Sequence, residues 1–288
     1  DSFRDSNGDA HCLSNVCVHR GGSLAGGLCH QEDNTIACPY HGWRFNGSGK
    51  CTQIPSLGPG SKIPARAKVD SYPVEEKYEI VFAFLGNLSE KDRPPLYEIE
   101  EYSAEGWRAN KTITIDINYN YERSIENGLD PAHNEFIHPT HGFEGTKNDY
   151  QVNPTQITDT DWGANFAQLF DAPPLDKDVY GDEARQESVD LSVFGGFFGP
   201  NTLISLIHTI QDIIWFHQYF FEQPINQFQT KIFFVNMRNW LMDENMDAMV
   251  MERNMIIANE DIAVMTDLRP SVTPPVSTKE TLVPADLI

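Results

Sequence analysis

The chain has 288 residues, of which 40% are hydrophobic and 22% charged, as in a globular protein of one large or two ordinary domains. Its formal net charge of −21 argues against nucleic-acid binding, because phosphates require Lys and Arg, and no apolar run approaches the roughly 18 residues of a membrane span. All five cysteines lie in the first 51 residues, which favours a local metal site in a reducing compartment, the cytoplasm, over a disulfide framework.

Residues 1–60 are rich in glycine, cysteine and histidine and predict a small β domain, which we extend to residue 95 and whose first strands we expect to be missing from this chain. Ser6-Asn7-Gly8 and 46–49 predict hairpin turns. Two loops carry Cys17-Val-His19 and Cys38-Pro-Tyr-His41. Two thiolates and two imidazoles from paired loops suit either structural zinc or a two-iron cluster with both histidines on one iron, and the spacing leaves both open.

Glycines follow each loop histidine, at Gly21-Gly22 and at Gly42. Glycine lets backbone N–H groups approach cluster sulfurs, and such hydrogen bonds tune a reduction potential. In this context the two loops resemble those of a Rieske [2Fe–2S] domain. The remaining cysteines and nearby histidines fall outside the pattern and are expected to be bystanders: His11, Cys12, Cys29, His30 and Cys51.

Lys91 to Pro95 reads as a linker, and we place the domain boundary there, with a second domain over 96–288. This part predicts a strand at 112–117, a helix from Tyr119 to Phe136, a long mobile loop within 142–190, and a last helix over 241–267. Three further strands are predicted from β-branched and aromatic residues at 202–208, 212–221 and 227–235. A helix across this antiparallel sheet would enclose an apolar pocket lined by aromatic residues such as Phe197, Phe216 and Phe220.

The stretch from Asn127 to His138 concentrates groups that bind metals. Asp130 and His133 are three apart and would share one helix face, and His138 reaches the same point only if the helix bends or ends nearby. Pro139 favours such an end. Two imidazoles and one distant carboxylate form the facial triad of non-haem Fe(II). The alternative is that one histidine caps a helix and the other faces water.

The missing carboxylate is expected on the last helix, near Glu260-Asp261. Three other acids compete with Asp261 for this role: Asp247, Glu260 and Asp267. His141 competes with His138. His208 and His217 are expected to be core or pocket residues and not ligands.

Together, both motifs resemble the catalytic α-subunit of a Rieske non-haem iron oxygenase over nearly the whole chain. The resemblance is closer to the vanillate and dicamba demethylase and pheophorbide oxygenase branch than to the biphenyl-type dioxygenases. It implies an α+β fold, in which a Rieske β domain precedes a helix-grip-like catalytic domain with an antiparallel sheet and long helices.

The resemblance also implies roles for individual residues. Cluster ligands would be Cys17 and Cys38 on one iron and His19 and His41 on the other. Mononuclear iron would be bound by His133, His138 and Asp261. Asn127 would lie near that iron, and Asp130 would bridge His133 to a Rieske histidine of a neighbouring subunit in a homotrimer.

The implied function is O₂-dependent hydroxylation or demethylation of a small, apolar or aromatic substrate, with monooxygenation favoured over dioxygenation. Electrons would come from NAD(P)H through a separate ferredoxin or flavin reductase, because no nucleotide-binding glycine fingerprint is present. The rivals are a Rieske electron-transfer protein with a non-catalytic ligand-binding domain, and a zinc-stabilised binding protein.

Overall fold

A computed structural model describes residues 2–153, 155–174, 177, 186–209, 214–274, 280–283 and 286. The chain forms two compact units, Asp1–Arg93 and Pro94–Ile288. The domain boundary that the sequence places at residue 95 stays a prediction.

The first unit is built from short antiparallel strands. Three sheets have the orders β1-β2-β7, β3-β4-β5-β6 and β8-β9. The strands are β1 (Ser2–Arg4), β2 (Ala10–Leu13), β3 (Leu28–His30), β4 (Thr35–Ala37), β5 (Arg44–Asn46), β6 (Cys51–Gln53), β7 (Ser71–Tyr72), β8 (Val74–Lys77) and β9 (Ile80–Ala83). Leu13, Leu24 and Phe45 are fully buried at the centre of its core.

Both predicted hairpin turns are present in this unit. Gly8 donates its N–H to the Asp5 carbonyl at 3.0 Å between β1 and β2, and Gly49 donates to Asn46 at 2.8 Å between β5 and β6. Both glycines have positive φ, 89° and 77°, which residues with a side chain rarely adopt. The turn residues therefore fix where these hairpins reverse.

The second unit contains one antiparallel sheet with the order β10-β17-β16-β15-β14-β13-β12, and β11 also pairs with β17. Its strands are β10 (Arg108–Ala109), β11 (Ile113–Ile117), β12 (Gln156–Thr160), β13 (Gly163–Ala172), β14 (Val189–Phe198), β15 (Thr202–Thr209), β16 (Trp215–Asn226) and β17 (Gln229–Arg238). The start of the strand predicted at 212–221 lies outside the described residues. Residues 142–190, within which a long mobile loop is predicted, also contain β12, β13 and the start of β14.

Helices of the second unit pack on one face of this sheet. They are α1 (Tyr121–Leu129), α2 (Asn134–Ile137) and α3 (Asp247–Met265). Leu129 of α1 packs against Phe166 and Leu203, whereas α3 packs on the other end of the sheet, where Met265 meets Ile115 and Phe234. This arrangement agrees with the predicted α+β, helix-grip-like class. Among the described residues, no helix combines the length and hydrophobicity of a transmembrane segment.

Candidate metal centre

Three side chains of the second unit lie close together: His133, His138 and Asp261. Nε2 of His133 lies 3.6 Å from Oδ1 of Asp261, and Nε2 of His138 lies 3.2 Å from the same oxygen. The donor atoms of all three residues are within 4.8 Å of one another. Two imidazole nitrogens and one carboxylate oxygen, with the remaining side open to a cavity, suit a six-coordinate Fe(II) ion.

The chain reaches this geometry by a break between two helices. Asn120 caps α1 by accepting the Glu122 N–H at 2.9 Å, and α1 ends at Leu129, because Asp130 is extended with a ψ of 115°. Pro131 follows and disfavours the helical conformation of the residue before it. The predicted single helix from Tyr119 to Phe136 is therefore wrong.

A second helix end lies five residues after His133. Helix α2 stops at Ile137, and His138 is extended, with φ −108° and ψ 103°. Pro139 follows it, as the sequence predicted for a helix end at this point. The break and this end together turn both imidazoles toward α3, although they do not lie on one continuous helix.

Hydrogen bonds at Nδ1 orient both histidine rings, on the side opposite the nitrogen that faces Asp261. Nδ1 of His133 donates to the Asp130 carbonyl at 2.6 Å, and Nδ1 of His138 donates to Oε2 of Glu260 at 2.8 Å. Because Nδ1 carries the proton in each ring, Nε2 keeps its lone pair for a metal. Asn127 donates from Nδ2 to Oδ1 of Asp261 at 3.0 Å, which fixes the third donor. The donor set and its orientation thus fit a bound metal ion.

Electrostatics of the three donors also suit a cation. Burial lowers the pKa of His133 and keeps that ring neutral. Burial also opposes protonation of His138, but the carboxylates of Asp261 and Glu260 outweigh it and raise its pKa. Burial works to raise the pKa of Asp261, but the hydrogen bonds with His138 and Asn127 and the charges of both histidines together hold it low. A metal ion would replace the proton that these carboxylates attract.

The competing ligands are placed elsewhere. Asp247 forms ion pairs with Arg108 and Arg238 at 2.5 Å each, and Asp267 is exposed beyond the end of α3. Glu260 contacts the far nitrogen of His138 and not the convergence point. His141 lines the cavity, with its ring centre 5.6 Å from that of His138. The role of Glu260 in orienting His138 was not foreseen, because adjacent acids on a helix cannot be told apart by spacing.

The carboxylate of Asp130 contacts a backbone N–H with one oxygen and a histidine ring with the other. Its Oδ1 accepts the Ala132 N–H at 2.7 Å, and Oδ2 lies 3.9 Å from Nδ1 of His133. The Asp130 side chain is 37% exposed, so it is only partly enclosed by the second unit.

A cavity of about 180 Å³ opens beside the three donors. Its wall is mostly apolar and includes Ile117, Leu203, Phe220 and Phe234. Of the three aromatic residues predicted to line it, Phe220 does, whereas Phe216 packs against Trp240 and Phe197 packs against the Leu129–Phe166–Leu203 core. An apolar wall of this kind excludes water and favours an organic ligand.

His208 and His217 lie away from this cavity. Their Nε2 atoms are 3.0 Å apart, and Nδ1 of His217 donates to Glu101 at 2.5 Å. Both take part in a hydrogen-bonded network and do not line the cavity wall.

The first unit brings together a second set of candidate ligands. The side chains of Cys17 and Cys38 are buried, whereas those of His19 and His41 are exposed, with ring centres 4.5 Å apart. Burial raises the pKa of the Cys17 thiol, and the neighbouring Cys38 adds to the rise. The indole of Trp43 stacks on His19 at 4.5 Å.

The two ligand loops have the same backbone design. Gly21 donates its N–H to the Cys17 carbonyl and Gly42 donates to the Cys38 carbonyl, each at 2.9 Å, with φ of 71° and 70°. A Cβ atom on Gly22 would lie 2.8 Å from Sγ of Cys38, so this position has no room for a side chain. Paired thiols, paired imidazoles and close backbone together fit a [2Fe–2S] cluster.

The remaining cysteines and histidines of this unit have other surroundings. His11 pairs with Asp5 at 3.0 Å and His30 with Glu32 at 2.9 Å. Cys12 and Cys51 are buried, and Cys29 is exposed.

Both units match known families. Residues 2–73 match the Rieske [2Fe-2S] domain, and residues 117–287 match the vanillate O-demethylase oxygenase C-terminal domain. The oxygenase component of 3-ketosteroid-9-alpha-monooxygenase from Rhodococcus rhodochrous is 30% identical over 214 residues, which are 70% of this chain and 49% of that protein. Protein TIC 55, chloroplastic, from Arabidopsis thaliana is 30% identical over 157 residues, which are 54% of this chain and 29% of that protein. The chain thus spans half or less of the length of these curated relatives.

Solved structures share the fold over most of the chain. Pseudomonas putida CBB5 NdmA with caffeine superposes with a TM-score of 0.77 at 22% identity, covering 96% of this chain and 75% of that one. Dicamba monooxygenase bound to 3,6-dichlorosalicylic acid gives 0.76 at 19% identity, covering 99% and 85%. At these identities the likeness supports the fold alone.

Proposed function

Because this chain belongs to the Rieske oxygenase family, we propose that it is an O₂-dependent oxidoreductase that hydroxylates or demethylates a small, apolar or aromatic organic molecule. The observation that carries the proposal is the convergence of His133, His138 and Asp261 on one point in the wall of an apolar cavity. Monooxygenation is favoured over dioxygenation because the second unit matches an O-demethylase domain.

Residues of the second unit would hold mononuclear Fe(II) through Nε2 of His133, Nε2 of His138 and a carboxylate oxygen of Asp261. Bound Fe(II) would supply O₂ activation, in which one oxygen atom enters the substrate and the other leaves as water with two electrons and two protons. Asn127 and Glu260 hold two of these ligands in place through the hydrogen bonds at 3.0 and 2.8 Å. The apolar wall would hold the substrate beside the iron and exclude bulk water.

Electrons would enter through a Rieske cluster held by Cys17, Cys38, His19 and His41. A separate ferredoxin or flavin reductase would pass them on from NAD(P)H. We further propose a homotrimer in which Asp130 of one subunit links His133 to a Rieske histidine of the next, and a cytoplasmic location. The partly exposed side chain of Asp130, whose Oδ2 lies 3.9 Å from Nδ1 of His133, supports the bridging role.

The first test is metal content. The purified protein should be red-brown, contain about three irons per chain and give a Rieske EPR signal after reduction. Two irons per chain and one metal centre would instead indicate an electron-transfer protein, and zinc in a colourless protein would indicate a binding protein. A screen of methylated and aromatic compounds with a surrogate reductase would then test turnover.

The ligand assignment has its own test. Asp261→Ala should lower iron from about three to about two per chain and leave the Rieske signal unchanged. Glu260→Gln should retain the site but weaken iron binding by roughly 10- to 100-fold, as is typical when a residue that orients a ligand is changed. Glu252→Ala, at an exposed position of the same helix, is the control and should bind iron normally. Full iron content in Asp261→Ala would contradict the assignment.

A further inference from the structure

One part of the cavity wall carries amide side chains that the proposed iron centre does not use. Gln218 on β16 donates from Nε2 to Oδ1 of Asn254 on α3 at 3.3 Å, and both line the cavity. Ser205 on β15 and Asn236 on β17 each lie directly opposite Gln218, so these side chains share a face of the sheet. We name the members of this set that line the cavity the amide cluster: the amides Gln218 and Asn254 and the hydroxyl-bearing Ser205.

One donor of the amide cluster is buried without a partner. Asn254 is 9% exposed, and its Nδ2 has no hydrogen-bond acceptor among the described residues. Buried amide groups almost always have partners in folded proteins, so this part of the cavity is suited to a ligand that supplies hydrogen bonds.

The amide cluster stands at a defined distance from the proposed iron. Asn254 and Asp261 are seven residues apart on α3, which is nearly two turns, and both line the cavity. A rise of about 1.5 Å per residue separates them by roughly 10 Å along the helix axis. A one- or two-ring molecule spans that distance, so it can reach the amide cluster and the iron at once.

Charge restricts the ligand further. Among the described residues that line the cavity, none is Lys or Arg, whereas Asp130 and Asp261 both belong to the wall. A carboxylate or sulfonate buried at the amide cluster would find no Lys or Arg partner and would lose its hydration without a compensating ion pair. An uncharged carbonyl compound can instead accept a hydrogen bond from Nδ2 of Asn254.

We infer that the amide cluster selects an uncharged substrate that carries a carbonyl group, as in an amide, lactam or ketone, and rejects carboxylates. Asn254 is the specificity-determining residue, and Gln218 is a positioning residue that holds its amide with Nδ2 free. The inference rests on the proposed function, because the same cavity must place the substrate beside the iron.

Three matched probes test this selection by calorimetric binding, without turnover. They are 4-methoxybenzamide, 4-methoxybenzoate and 4-methoxytoluene, which differ only in the group opposite the methoxy substituent. The amide should bind at least 10-fold more tightly than either of the others. Asn254→Leu should weaken binding of the amide about 10-fold and leave binding of 4-methoxytoluene within twofold.

Asn259→Leu is the matched control, since it makes the same change at an exposed position of α3, and it should bind all three probes like the wild type. Equal binding of amide and benzoate, equal weakening of both neutral probes by Asn254→Leu, or no measurable binding of the amide would overturn the inference. Iron content and the Rieske signal are measured on the same samples. A protein with both metal centres that fails the binding test contradicts only the selection, whereas a protein lacking the second centre contradicts the proposed function.

Discussion

At the scale of single residues, the most unusual side chain in the second unit is Glu222. It lies on β16 and is 1% exposed. Within the described residues, neither of its carboxylate oxygens has a hydrogen bond of normal geometry. Burial raises the pKa of Glu222 to about 8, and the nearby Ser124 hydroxyl offsets part of the rise. At neutral pH this residue is therefore a neutral acid under α1.

The raised pKa of Glu222 predicts how stability depends on pH. The folded protein binds the Glu222 proton more tightly than the unfolded chain does, so this proton stabilises the fold. Its contribution to the free energy of unfolding is complete below about pH 4.5 and is lost as the pH rises toward about 8. In Glu222→Gln the free energy of unfolding should not fall over this pH range. In the wild type the fall should be on the order of a few kcal/mol, at about 1.4 kcal/mol per unit of pKa shift. Urea unfolding at pH 5, 7 and 8.5 measures it.

Glu252→Gln, an exposed position on α3, controls for the loss of one acid at the surface. Its stability should follow the pH dependence of the wild type. If Glu222→Gln also followed the wild type at all three pH values, Glu222 would not retain its proton in the folded state.

At the scale of elements, Gly128 allows α1 to pack closely against β15. A Cβ atom on Gly128 would lie 2.3 Å from Cδ2 of Leu203, which is 5% exposed and packed with Leu129 and Phe166. The helix therefore sits closer to the sheet than a side chain at this position would permit. This close packing also sets the position of Asn127, which bonds to Asp261.

Gly128→Ala should destabilise the second unit despite the better helix propensity of alanine. Overpacking costs about 1–3 kcal/mol and exceeds the gain of about 1 kcal/mol from propensity. Iron binding should weaken too, because Asn127 moves with the helix. Thermal unfolding and iron content measure both effects.

A double-mutant cycle isolates the contact between Gly128 and Leu203. Leu203→Ala alone should cost about 2–5 kcal/mol, and the combination with Gly128→Ala should cost clearly less than the sum, because the new methyl group occupies the space left by Leu203. Additive losses would show that the glycine is not required by this contact.

How far the sequence predicts the elements depends on the strength of the local pattern. Strands β15 and β17 were predicted because β-branched and aromatic residues dominate them. Strand β12 was missed because Gln156–Thr160 is polar and exposed along its whole length, so it shows no alternation. The break before Pro131 was missed because apolar periodicity continued across it, although the proline itself signalled the break.

The site was easier to predict than its supporting residues. Spacing and residue type singled out His133 and His138 as candidates, and the structure brings them to Asp261. The amide cluster was not predicted, because Gln218 and Asn254 are 36 residues apart and only the sheet register and the packing of α3 bring them together. Long-range pairing of this kind leaves no local signal in the sequence.

At the scale of the whole molecule, each compact unit holds one complete set of candidate metal ligands. Cys17 and Cys38 with their partner histidines lie in the first unit, and His133, His138 and Asp261 lie in the second. In the proposed trimer, electron transfer between two such sets depends on Asp130.

Asp130→Asn tests that dependence. Asparagine keeps an oxygen to accept the Ala132 N–H, so both metal centres should persist, with about three irons per chain and a normal Rieske signal. Loss of the carboxylate charge beside His133 should abolish electron transfer from the reduced cluster to the mononuclear site, as measured by single-turnover oxidation of the cluster with O₂ and substrate. Asp149→Asn, exposed in the same unit, should behave as the wild type, and normal turnover by Asp130→Asn would refute the bridge.

Neighbouring acids Glu260 and Asp261 contact opposite nitrogens of one imidazole, at 2.8 and 3.2 Å. Because the contact with Glu260 does not involve the nitrogen that faces the proposed iron, it would hold the ring of His138 in the same orientation with or without a bound ion. An empty site of this kind would keep its ligand geometry and could rebind iron without a change of side-chain rotamer.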